Sequence, residues 1–194
     1  MMPRVDGLPL AFFVPLVAHA LAGLTAGVTG AVAFSVPKGP ARHHRWGKRY
    51  LWAYTAVFLT ATILSVQRWS ADAYLFGLAL LGYSLALAGY SARRFRHTSW
   101  LRRLLGDWWV IAHLSGMIAS YVVLWTAFYV DNAHLFPGLN RLPTITFWVA
   151  PAIIAVPFLV RSIARFAPKS AAVYHDGGDA LEVGQRDVTT RTSS

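Results

Sequence analysis

The chain reads as an all-α integral membrane protein: a bundle of five transmembrane helices, N-terminus outside and C-terminus in the cytoplasm. Three observations carry that expectation. Of 194 residues, 56% are apolar and only 13% charged, where an average soluble domain has roughly 25% charged residues. Five apolar runs are long enough, at about 1.5 Å per residue, to cross a hydrocarbon core about 30 Å thick. The Lys and Arg residues gather in alternate connections, which the positive-inside rule puts in the cytoplasm, and an odd number of crossings then requires the two ends to lie on opposite sides.

The first run is Leu8 to Val36. Arg4, an apolar stretch and Ala18-His19-Ala20 have the outline of a signal peptide with an A-x-A cleavage site. Apolarity continues to Lys38 without a charge, which favours an uncleaved helix. His19, Gly23, Ala26, Gly27 and Gly30 share one helical face, and the small residues on it admit a close neighbour. Pro37, Gly39 and Pro40 end this run. The link from Pro37 to Arg49 is strongly basic, with Lys38, Arg42, Arg45, Lys48 and Arg49 beside His43 and His44.

The second run is Tyr50 to Val66, with a helix that could start as early as His43. Trp52, Tyr54 and Trp69 are expected as interface anchors. After QRWSAD comes the third run, Ala73 to Ala92, with Gly82, Ala86 and Gly89 as a second small-residue face. The segment 93–103 is basic again through Arg93, Arg94, Arg96, Arg102 and Arg103. Asp107 is placed to cap the next helix at its N-terminus.

The fourth run, Trp108 to Val130, holds 23 residues without a formal charge, with His113 inside its second turn. The connection DNAHLFPGLNRLP carries only Arg141, and the fifth run, Thr144 to Val160, contains Pro151 and Pro157, which predict kinks. Arg161, Arg165 and Lys169 follow. Residues 1–168 therefore form the membrane domain, and the polar segment 169–194 is expected to be a disordered cytoplasmic tail.

Several function classes lack support. The chain has no cysteine, so thiol chemistry and Cys-based zinc sites are absent. It has no HExxH, nucleophile elbow or phosphate-binding glycine loop. No carboxylate lies mid-span and no inverted halves are visible, which disfavours a small-molecule transporter. The net charge of +10 lies beside apolar runs, so it points to anionic lipid on the cytoplasmic side rather than nucleic acid. The Arg- and Ala-rich composition suggests a bacterial cytoplasmic (inner) membrane.

Histidine is the residue type with chemical promise. Neutral imidazoles on facing helices are the usual way a bundle holds haem b. Gly116, one turn from His113, and the glycines beside His19 could make room for a flat macrocycle. Axial nitrogens on one iron stand about 4 Å apart. From the run boundaries, His19 lies near the midplane and His113 roughly 9 Å to the cytoplasmic side. His43 with His113 therefore suits a shared ligand better than His19 with His113. The structural alternative is that each histidine makes an interhelix hydrogen bond.

The arrangement resembles an uncharacterised bacterial family of predicted membrane proteins with a domain of unknown function. The residues that carry the resemblance are His19, the step His43 to Gly47 followed by Lys48-Arg49-Tyr50, the string HLSGMIASYVVLWTAFYVDN from His113 to Asn132, and WVAPAIIAVP from Trp148 to Pro157. Members of that family often carry Arg directly after the first loop histidine. Here His44 stands there, with Arg45 next, so His43 and His44 compete for that role. The resemblance implies the membrane fold and the same histidines, and it implies no activity.

Two functional expectations follow. One is a structural or accessory membrane component with no catalytic constellation, working beside other membrane subunits. The other is a b-haem or quinone redox protein using His113 with His43 or His19.

Overall fold

The computed structural model describes residues 4–5, 8–37 and 41–166. Lys38 and the tail segment 169–194 lie outside the described residues. A two-residue antiparallel pairing, β1 (Arg4–Val5) with β2 (Leu8–Pro9), precedes the helices. Six α-helices follow: α1 (Leu10–Ser35), α2 (Arg42–Gln67), α3 (Trp69–Arg94), the short α4 (Ser99–Leu105), α5 (Trp109–Asn132) and α6 (Ile145–Phe166). Five of the helical segments are long and apolar enough to cross a membrane, the short α4 running into α5 as one of them.

The inside of the bundle is built mostly from small residues around Tyr50 and Tyr54, and its outside is large and apolar. Ala26, Gly27, Gly30, Gly82, Ala86 and Gly89 are buried, while Leu24 is 68% and Val66 67% exposed. Water would select the reverse; lipid permits it, because close van der Waals approach and hydrogen bonds hold such helices together. Successive long helices run antiparallel. α2 lies between α1 and α3, α5 packs on α3 and touches α1, and α6 packs chiefly on α5.

The tightest seam is between α3 and α5. A Cβ on Gly116 would lie 2.8 Å from Gly89 Cα and 2.9 Å from Leu85 O. Only glycine permits that approach. Gly116 therefore does not make room for a macrocycle, contrary to the expectation above: the α3 backbone fills the space. Gly27 likewise faces the Trp125 ring at 3.5 Å, whereas Gly23 has open space around it.

Two prolines organise α1. Pro15 and Pro37 have no N–H, so the carbonyls of Ala11 and Ala33, four residues earlier, lack their usual helical donors. Both receive a donor from α2: Gln67 Nε2 reaches Ala11 O at 3.2 Å and His43 Nδ1 reaches Ala33 O at 2.9 Å. The two ends of α2 thus fasten the two ends of α1.

Several expectations are corrected here. Arg42, Arg45, Lys48 and Arg49 are on the first two turns of α2 rather than in a loop, Arg93 and Arg94 end α3, and Arg102 and Arg103 are on α4. Arg and Lys are good helix formers, and no breaker follows Pro40 strongly enough to delay α2. Arg96 lies in the short α3–α4 link. Arg161 and Arg165 belong to α6. Asp107 sits in a 3₁₀ turn and makes no capping bond to α5. Tyr54 is buried at 1% exposure, while Trp52 is 74% exposed; two residues on a helix point to nearly opposite sides.

Substituting Gly116→Ala is expected to lower stability by about 1–3 kcal/mol through overpacking, with Gly23→Ala close to neutral. Thermal unfolding of the detergent-solubilised protein checks this; equal melting of the two variants would contradict the seam.

Candidate histidine site

All the helix ends carrying Arg42 to Arg49, Arg93 to Arg103 and Arg161 to Arg165 lie at one end of the bundle, the basic end. His43 is on the first turn of α2 and His113 on the second turn of α5. The antiparallel run of the helices brings them to that same end. Their ring centres are 6.3 Å apart and their planes stand at 88°.

Each imidazole is oriented by a backbone carbonyl of a neighbouring helix. His43 Nδ1 bonds to Ala33 O of α1, and His113 Nδ1 bonds to Gly89 O of α3 at 2.7 Å. A carbonyl oxygen can only accept, so Nδ1 carries the proton in both rings. In a neutral imidazole the lone pair is then on Nε2. Donation from the far nitrogen to a backbone carbonyl is the usual way a ligating histidine is oriented and made more basic.

The remaining histidines are elsewhere. His19 Nδ1 pairs with Thr60 Oγ1 of α2 at 3.0 Å. Fourteen residues separate His19 from Ala33 on α1, about 21 Å along the axis, so the structure does not bring His19 to His113. His44 lies toward the charges of Lys48, Arg93 and Arg94. Consecutive helical residues are turned about 100° apart, so only His43 of that pair faces His113. Among the described residues, no group of three or more His, Cys, Asp or Glu side chains could hold a metal ion.

Beside the pair runs a polar network that sequence reasoning missed. Tyr50 Oη and Ser120 Oγ are 2.9 Å apart, Tyr54 Oη donates to Ser120 O at 3.1 Å, and Tyr121 Oη donates to Gly27 O at 3.0 Å. Tyr50 and Tyr54 are one turn apart on α2, which signals a shared face; nothing in their spacing says that the face points inward. At the opposite end Asp131 lies within electrostatic reach of Asp72, His134, His19 and Arg68, and Arg68 pairs with Asp72 at 3.7 Å.

The hydrogen-bond role of His43 predicts a coupled response. His43→Ala leaves Ala33 O without its donor and is expected to cost about 1–3 kcal/mol. In a Pro37→Ala background, where residue 37 regains an N–H, the same change should cost at least about 0.5 kcal/mol less. Additive effects on unfolding in a double-mutant cycle would contradict this role. No family model, curated protein or solved structure matches the chain.

Proposed function

We propose that this protein is a b-type haem redox protein of a bacterial cytoplasmic membrane, in which His43 and His113 would hold the haem iron, with the basic end in the cytoplasm. One observation carries the reading: two imidazoles on facing helices stand 6.3 Å apart, each with Nδ1 on a backbone carbonyl. Two imidazoles on one iron place their ring centres roughly 6 Å apart, from two bonds of about 2 Å and the offset of each nitrogen from its ring centre.

The chain's own residues would do three things. Ala33 and Gly89 hold the rings in the tautomer that presents Nε2. The α2 and α5 helices set the spacing. The surrounding lipid and apolar side chains exclude water, which tunes the potential of a bound haem. Bound haem would supply one-electron chemistry. The arginines at the basic end support the orientation through the positive-inside rule.

A second reading, a structural or accessory component, is favoured by the same hydrogen bonds. They join α1 to α2 and α3 to α5 without any movement, whereas a macrocycle requires the side chains around the inter-ring gap to part. The difference spectrum separates the two. Protein purified from haem-supplemented cells is expected to show Soret and α bands in the reduced-minus-oxidised spectrum. His43→Ala and His113→Ala should each abolish the low-spin bands, while His19→Ala and His44→Ala keep them. No band at any haem supplementation would leave the hydrogen-bonding reading alone.

A further inference from the structure

A long cleft opens between α1, α5 and α6, with a volume of about 1070 Å³. That is just above the range of small-molecule pockets, about 300–1,000 Å³. Its wall is mostly apolar, with Ile118 and Val122 on α5 facing Phe147 and Ile154 on α6. On α6 the lining positions 147, 151, 154, 158, 161 and 165 recur three or four residues apart, which is one face of the helix. That face looks at the bundle, yet α6 has no buried residue. From Thr146 to Arg165 the cleft follows about 28 Å of helix, close to the thickness of a bilayer core.

The charge on the wall is confined to one end. Arg161 and Arg165, one turn apart, line the cleft at the basic end together with Ser162, and among the described residues no Asp or Glu lines it. Guanidinium groups bind phosphate through paired N–H donors. We infer that this cleft is a binding site for an anionic phospholipid, with its phosphate on Arg161 and Arg165 and its acyl chains between α5 and α6. A neutral quinone offers the two guanidiniums no charge to neutralise. An apolar helix from a second copy would fill the wall and leave the arginines without an anion. The inference does not depend on the haem reading, since neither histidine lines the cleft.

The test uses the full chain in phosphatidylcholine nanodiscs with and without phosphatidylglycerol, and counts lipids retained by native mass spectrometry. Retention of phosphatidylglycerol over phosphatidylcholine is expected at about tenfold to thirtyfold, for two arginines each worth about 1 kcal/mol at a membrane surface. Arg161→Ala with Arg165→Ala should bring that preference close to one, while Arg102→Ala with Arg103→Ala on α4 leaves it unchanged. Ala155→Trp, which projects into the cleft, should abolish retention of both lipids. Ala150→Phe repeats that arm, and melting curves select the variant that folds. Preference surviving the Arg161/Arg165 change, equal loss in the α4 variant, undiminished retention in the filled cleft, or a retained quinone in place of phospholipid would each overturn the assignment.

Discussion

Pro15 and Pro37 each leave a carbonyl of α1 without its helical donor, and α2 answers both. In water such a carbonyl would bond to solvent. In hydrocarbon it needs a partner from the protein, because a backbone polar group left unsatisfied there costs several kcal/mol. Gln67 and His43 supply the donors from opposite ends of one helix. This fixes the register of α1 against α2, and with it the rotation of His43 toward the interior. The histidine proposed to act chemically is therefore placed by a structural requirement.

The other half of the site depends on glycine. With Gly89 and Gly116 backbone to backbone, α3 comes close enough for Gly89 O to accept from His113. Larger residues would separate the helices and remove that bond. Two unrelated devices, a proline-orphaned carbonyl and a glycine seam, thus end in the same chemistry: an Nδ1–H donated to a main-chain oxygen. The tyrosines of α2 and α5 fill the space between the devices, and among the described residues no buried side-chain N or O lacks a partner.

Much of the fold was legible because lipid imposes a simple code. Long apolar runs broken by Pro, Gly and Arg locate the five spans, and the small-residue faces of α1 and α3 are where helices meet. The boundaries of α2 and α6 were less legible, since Arg42 to Arg49 and Arg161 to Arg165 suit a helix as well as a loop. Depth placed His43 and His113 at a common level because it needs only residue counts. Choosing His43 over His44 needed the rotation of α2, which depends on packing. The role of Gly116 could not be read at all: a glycine that admits a ligand and one that admits a helix are the same letter. The cleft beside α6 depends on how far that helix stands off, and no local pattern records this.

The perpendicular rings permit a direct test of the site. Two axial imidazoles with crossed planes give oxidised low-spin haem a strongly anisotropic electron paramagnetic resonance signal, and parallel planes give an ordinary rhombic one. With the planes at 88°, haem-loaded membranes should show the strongly anisotropic signal, and it should disappear in a His113→Ala variant. A high-spin spectrum from the unaltered protein, or a rhombic low-spin one, would contradict His43 and His113 as a shared pair of ligands.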